Sequence, residues 1–416
     1  MTPIALGVSE YKHQISGLRS WSKYLFILAI VFSSRNPLVA QNQHMDSAMA
    51  AQKDLVDIFL KITGWETKKE NRGKNNLIFS VIPLASTANG GKQVVVSSVN
   101  AAFYAGPKST TKISNVYFIP YTNFSSRSGF IITPNIWFSG SNWNANGELR
   151  IAQNGIETYG LGTNTSKENK NEVDYQYIRV YLNLNRRIFG SFYLGAGYNL
   201  DYFYNVKDNW THSGSSPFAT YGIGTGSQTT STGLTFNILI DSRKNSINAS
   251  DGFYSLLVFR ANPPALNNDY SWSSIYFDNR KYIPLSSSWR SILAIWGIYW
   301  GTFGDVPYLN LPGSRLDLGG RTARGYSLMR YCGKQMLYGE MEWRIDITSN
   351  GLWGAVAFAN AQSYTELVSN RFEYVKPAAG FGLRVKFNKR SNTNLALDFA
   401  FGQNSFGWYL NLGEFF

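Results

Sequence analysis

No stretch of this 416-residue chain approaches the roughly 18 consecutive apolar residues of a membrane-spanning helix; the longest, Tyr24 to Phe32, has nine. Charge is scarce too. Asp, Glu, Lys and Arg make up 16% of the residues, against about 25% in an ordinary soluble chain. A single cysteine, Cys332, excludes an intramolecular disulfide, and with only three histidines no His/Cys cluster has metal-ligand spacing. Gly319-Gly320 and the Gly160/Gly162 pair fall among strand and loop signals rather than strand-to-helix turns, which argues against a phosphate cradle. No metal and no cofactor are expected. His212 lies near Asp208 in a loop, and a lone loop histidine is more often solvated than catalytic, so no catalytic residue is assigned.

Aromatic residues are plentiful. Phe, Tyr and Trp reach 16%, with 27 Phe, 26 Tyr and 12 Trp. Few charges, many aromatics and no long apolar run suit a barrel, in which apolar and polar positions alternate and the average conceals both. Amphipathic rings are favoured at the two membrane interfaces.

The nine-residue apolar stretch follows Lys12, Arg19 and Lys23 and precedes Leu38-Val39-Ala40, the order of a secretory signal with cleavage after Ala40. Removing residues 1–40 takes away four basic residues and one acid and lowers the net charge from +13 to +10. Export argues against a nucleic-acid partner despite the basic balance. Residues 41–75 form a periplasmic segment. In it Ala48, Met49, Leu55, Ile58, Phe59 and Ile62 recur at helical spacing and predict one amphipathic helix over 46–62, ended by Gly64. It would lie against the periplasmic mouth or dock a partner.

From residue 76 to 416 the sequence divides into sixteen alternating segments. In 177–185, Ile178, Val180, Leu182 and Leu184 alternate with Tyr177, Arg179, Tyr181, Asn183 and Asn185. In 380–387, Phe381, Leu383, Val385 and Phe387 oppose Gly380, Gly382, Arg384 and Lys386. Strand side chains alternate faces with period 2, so each segment has one apolar and one polar face. Connections alternate as well: short ones at 140–145, 187–190, 347–351 and 388–393, long ones at 153–172, 204–225, 302–334 and 363–373, with 242–251 a longer exception among the short. That asymmetry is typical of a bacterial outer-membrane barrel. The first strand is placed near 76–86 and the last at 405–416, where Phe406, Trp408, Leu410, Leu412 and Phe416 share the outer face. Phe416 reads as the terminal assembly signal, and Gly413, a glycine inside that strand, as a weak point of the first–last seam. The fold class is all-β: a sixteen-stranded antiparallel transmembrane β-barrel with a short N-terminal helix.

Leu318-Gly319-Gly320, followed by Arg324-Gly325-Tyr326 and by a strand carrying Glu340, Glu342 and Arg344, resembles the BamA/TamA-type outer-membrane proteins, also called the bacterial surface antigen family. Tyr159-Gly160-Leu161-Gly162, Asp241-Ser242-Arg243 with Gly252, and Asn411-Leu412-Gly413 add to the likeness, which spans residues 76–416. The resemblance implies that a long extracellular loop folds back into the lumen and that Arg324 pairs with acids on the barrel wall. Glu340 and Glu342 lie two apart on one inward face, roughly 7 Å from each other, and a returning guanidinium can meet either one. Gly325 allows the tight turn, and Tyr326 packs on the wall. The family's acid on the next strand is replaced by Asn360, which accepts a hydrogen bond but brings no charge. The resemblance further implies a component of outer-membrane protein insertion or translocation, touching outer-membrane lipid and other outer-membrane or periplasmic proteins. Only the helix-like 46–62 precedes the barrel, whereas the assembly members of the family carry periplasmic repeat domains there. The alternative is a passive pore or structural barrel with no client.

Overall fold

The computed structural model describes residues 52–63, 77–89, 92–286 and 290–416. The signal-peptide reading of 1–40, His44 and most of the 41–75 segment lie outside the described residues. The N-terminal helix, α1, spans Leu55–Thr63. It begins nine residues later than expected because of a local cap. Asp54 Oδ1 accepts from the Asp57 amide (2.8 Å), while Asp57 Oδ2 accepts from the Asp54 amide (3.2 Å), a reciprocal pair that satisfies free donors of the first turn.

Sixteen strands follow in one antiparallel sheet whose spatial order is the chain order. They are β1 (Ile78–Asn89), β2 (Lys92–Phe103), β3 (Ser114–Thr122), β4 (Ser128–Trp137), β5 (Trp143–Thr158) and β6 (Asn171–Phe189). Next come β7 (Phe192–Asp208), β8 (Gln228–Asp241), β9 (Gly252–Asn262), β10 (Trp272–Pro284) and β11 (Ser291–Gly304). The last are β12 (Gln335–Asp346), β13 (Trp353–Tyr364), β14 (Lys376–Asn388), β15 (Thr393–Gly402) and β16 (Ser405–Leu412). The sheet curls until β16 lies beside β1, closing a barrel. Among the described residues no hydrogen-bonded ladder joins those two strands.

Burial along the strands is inverted relative to a soluble sheet. In β12, Leu337, Met341 and Trp343 are exposed on the outer wall, while Tyr338, Glu340, Glu342 and Arg344 are buried inside. Leu182, Leu184, Leu234, Phe236, Phe381 and Leu383 are likewise exposed. An apolar belt outside and a polar, packed interior are what hydrocarbon solvent selects. Among the described residues no helix is long and apolar enough to cross a membrane.

Short turns collect at one end, at 138–142, 190–191, 347–352 and 389–392, and long loops at the other, at 159–170, 209–227, 305–334 and 365–375. The exception, 242–251, folds across the turn end to the opposite wall. Asn245 Nδ2 donates to the Ser391 carbonyl (3.2 Å), Asn392 Nδ2 to the Asn248 carbonyl (3.3 Å) and Arg290 Nη2 to Asn248 Oδ1 (2.9 Å). At its base Arg243 grips Asp241 with both Nε (3.1 Å) and Nη2 (3.0 Å). Gly252, with φ +95°, allows the return; a Cβ there would lie 3.0 Å from the Ser242 carbonyl. On the same rim α1 is pinned by Lys389, whose Nζ reaches Asp57 at 2.7 Å and whose amide reaches Asp54 at 2.8 Å.

The last strand departs from its expected course. β16 ends at Leu412, and Gly413 adopts φ +95° and turns the chain out of the sheet. Glu414, Phe415 and Phe416 then enter the lumen and are buried there. Phe416 is therefore not on the lipid face, and Gly413 is not a strand-interior glycine. The period-2 pattern gave no warning, because Phe416 keeps the parity of Leu412 while the backbone between them changes direction.

Candidate functional site in the lumen

Residues 305–334 form a folded plug between β11 and β12. Tyr308, Leu311, Ser314, Thr322 and Ala323 are fully buried. The Leu318-Gly319-Gly320 turn uses positive φ at both glycines (+98° and +65°). It is closed by the Asp317 carboxylate, which accepts from the amides of Thr322 (2.9 Å) and Arg321 (3.1 Å). Burial raises the Asp317 carboxyl above its ordinary value, although those Thr322 and Arg321 bonds pull the other way. At the loop's far end Cys332 touches the Tyr159–Gly162 loop: its amide-plane carbonyl accepts from Gly162 N at 2.7 Å, and its thiol donates to the Gly160 carbonyl at 3.4 Å. Burial pushes that thiol up to about 12, only partly offset by the hydroxyls of Tyr308 and Thr158.

The Arg324 guanidinium is 1% exposed and meets three carboxylates. Nη1 donates to Asp398 (2.6 Å); Nη2 donates to Glu342 (2.5 Å) and to Glu340. Its plane sits between the rings of Phe358 (3.5 Å) and Phe415 (4.3 Å), an arrangement that adds cation–π attraction. Burial alone would lower the Arg324 pKa, but Glu340, Glu342 and Asp398 outweigh it and hold the group well above its usual value. Asn360 serves the backbone instead, donating from Nδ2 to the Arg324 carbonyl (3.1 Å). Gly325 has φ +103°, and a Cβ there would press on Ala378 Cβ at 3.0 Å and Gly402 N at 3.1 Å. The Gly325 amide donates to the Tyr409 hydroxyl (2.8 Å). Tyr326 lies over Gly402, donates to the Pro377 carbonyl (2.7 Å) and accepts from Gln403 N (3.0 Å).

The network is wider than the sequence suggests. Arg344 Nε pairs with Glu342 (2.6 Å), while Arg384 pairs with Asp398 (2.5 Å) and Glu414 (2.7 Å). Arg321 Nη1 donates to the carbonyls of Glu414 and Phe415, each at 3.1 Å, and Arg344 Nη2 to that of Phe416 (2.9 Å). Three guanidinium groups, of Arg324, Arg344 and Arg384, thus pair with four carboxylates while Arg321 holds main-chain carbonyls, and the C-terminal segment is a structural member of the site. Burial would raise the Glu414 carboxyl, but Arg384 and Arg344 prevail and hold it well below the usual range. Asp398 and Glu414 were not foreseen. The available signal was an acid between Ala396 and Ala400 on an inward face, since a lone inward carboxylate in an otherwise apolar strand requires a cation. The exposed His212 ring stands edge-on to Trp210 (4.7 Å), and Asp208 is engaged by Asn171 (2.9 Å) and Ser216.

No protein-family model matches the chain, and no curated protein matches it in sequence. Solved structures do match in fold. BamA from Haemophilus ducreyi lacking POTRA domains 1–3 superposes with a TM-score of 0.50 at 12% identity, covering 82% of this chain and 70% of that one. CdiB from Acinetobacter baumannii gives 0.49 at 10% identity, covering 82% of this chain and 60% of that one. The chain shares the sixteen-stranded BamA-like barrel fold.

Proposed function

We propose that this protein is an outer-membrane component of protein insertion or translocation, a member of the BamA/TamA-type family. The observation that carries the reading is the Arg324-Gly325-Tyr326 loop, held inside a sixteen-stranded barrel by Glu340, Glu342 and Asp398. A guanidinium tied to two separate strands and packed under the C-terminal segment fixes the barrel on the β12–β16 side. At the edge of that braced side, among the described residues, β1 adjoins β16 without a ladder, so β1 can exchange partners there without first breaking one. In this reading the long loops are extracellular, the short turns periplasmic, and the α1 rim faces incoming clients.

The lumen holds the plug, the C-terminal segment and the 242–251 crossing, which favours assembly work over a wide passive pore. Depleting the protein tests this. The expected result is a fall in other barrel proteins in the outer membrane, restored by the parent chain and not by Arg324→Ala. An unchanged outer-membrane proteome, together with a wide and steady conductance insensitive to Arg324→Ala, would transfer the assignment to a passive pore.

A further inference from the structure

Inside the barrel Arg179, Arg260, Arg280, Arg344 and Arg384 each lie within 3.0 Å of a carboxylate. Arg186 is exposed on the outer face of β6 and, among the described residues, has none. Leu182, Leu184 and Ile188 share that face with it and are exposed too. In register with Arg186 stand Trp143 on β5 and Leu194 on β7. Beyond it, at the turn, the rings of Phe189 and Phe192 stack at 5.0 Å. Apolar side chains thus flank the arginine both along the strand and across the sheet. That sets it in the margin of the lipid-facing wall rather than in the water past its end.

Among the described residues the Arg186 guanidinium has no hydrogen-bond acceptor either; it lies over the Trp143 ring, 5.5 Å from the ring centre. Attraction to an indole face uses none of its N–H groups, so the planar fork of five donors stays open. The Trp143 indole N–H is likewise without an acceptor among these residues, and the side chain is 39% exposed. Arg187, on the other face, already donates from Nη2 to Asn142 Oδ1. An unmatched cation at the edge of hydrocarbon lays its stem along the apolar wall and carries its head to the nearest anion or to water. At the margin of a bilayer the nearest anions are lipid phosphates.

We propose that Arg186 and Trp143 form a site on the outer wall for the phosphate of an anionic glycerophospholipid, in the leaflet that the short turns reach. A guanidinium meets a phosphate with two parallel N–H···O bonds, and the indole N–H supplies a third donor to a neighbouring oxygen. A zwitterionic headgroup would bring an ammonium as well, and the neighbours on this wall, Ala145, Leu184, Ile188 and Leu194, offer it no carboxylate. The acyl chains lie along Leu182, Leu184 and Leu194. The site rests on this wall facing lipid and not on any role in protein assembly.

The test uses the full chain in detergent micelles and native mass spectrometry, with phosphatidylglycerol, phosphatidylcholine of the same acyl chains and inorganic phosphate as probes. The first phosphatidylglycerol binds about tenfold more tightly than phosphatidylcholine, and Arg186→Leu weakens it about tenfold, or ~1.4 kcal/mol. Arg186→Lys keeps the charge without the fork and loses less. Trp143→Phe keeps an aromatic face without the N–H and weakens binding several-fold. Lys244→Leu leaves it unchanged, since that lysine sits on the 242–251 crossing beside Asp251 (3.8 Å). Retention of the compact band on unheated gels shows that each variant is folded, and where Arg186→Leu loses that band Arg186→Lys and Trp143→Phe decide. The proposal fails if phosphatidylcholine binds as tightly, or if the folded variants at Arg186 and Trp143 bind like the parent. It fails also if Lys244→Leu costs as much as Arg186→Leu, which is general charge attraction, or if inorganic phosphate displaces the lipid, which makes free phosphate the ligand.

Discussion

Replacing Arg324 with alanine removes one cation from a pocket where it faces three acids, and the structure sets how much that costs. Glu342 keeps Arg344 at 2.6 Å, and Asp398 keeps Arg384 at 2.5 Å. Glu340 keeps only the Tyr338 hydroxyl. The substitution therefore strands one buried carboxylate rather than three, and losing one partner of a buried pair costs about 3–5 kcal/mol. Glu340→Gln in the same chain removes the stranded charge. The double variant should be more stable than Arg324→Ala alone, with a coupling of about 1–3 kcal/mol. Arg324→Lys keeps the charge but not the planar fork, and one ammonium cannot reach both Asp398 and the β12 pair, so it falls between. Urea titration of the compact band on unheated gels measures the parent, Arg324→Ala, Glu340→Gln, the double variant and Arg324→Lys. Proteolysis after Arg321 and Arg330 reports whether the plug has left the lumen. If Arg324→Ala lies within about 0.5 kcal/mol of the parent, or if Glu340→Gln deepens its defect, the three-acid account of the tether is wrong.

Gly325→Ala forces a Cβ onto Ala378 and Gly402 at positive φ and is expected to cost about 1–3 kcal/mol, seen as a lower urea midpoint. Phe416→Ala removes a ring stacked on Trp296 at 5.0 Å and should lower the stability of the refolded barrel in vitro by about 3–5 kcal/mol. A residue acting only as an assembly signal would leave that stability unchanged. Cys332 should react slowly with maleimide in the folded barrel. Because burial pushes its thiol up to about 12, its slow rate should rise about tenfold per pH unit between pH 7 and 9 without levelling, whereas a free thiol levels off at about pH 8.5; in urea both the rate and its pH dependence should become ordinary.

The strands were legible because lipid on one side and a polar lumen on the other force a strict alternation, as Leu337, Met341 and Trp343 against Glu340 and Glu342 display. Their ends were less so: β5 runs to Thr158 and β6 begins at Asn171, since pairing continues beyond the apolar belt. The start of α1 lay in the Asp54/Asp57 cap, a polar signal weaker than the helical spacing around it. Arg324, Glu340 and Glu342 stood out because they are close in sequence. Asp398 and Glu414 join the same cluster from β15 and beyond β16, contacts that only closure of the barrel creates. The fold of Gly413–Phe416 into the lumen depends on one backbone angle and on four arginines elsewhere, so no local pattern carries it.

That inward fold makes the two sides of the seam unequal. The end of β16 is tied inside by Glu414 to Arg384 (2.7 Å) and Asn394 (2.6 Å), by the Arg321 bonds to its carbonyls, and by Phe416 on Trp296. β1 is held by its ladder with β2. It also carries Pro83, which has no amide hydrogen to give, a residue that sheets keep at edges. If the seam separates, β1 moves and β16 stays. Amide exchange resolved by strand measures this directly, because local opening costs less than global unfolding only where few contacts must break. Amides of β1 should exchange well before those of β15 and β16, and Glu414→Gln should speed exchange in β16 while leaving β1 unaltered. Protection of β1 equal to that of β8, which is paired on both sides, would mean that the seam is sealed and that the asymmetry has no mechanical consequence.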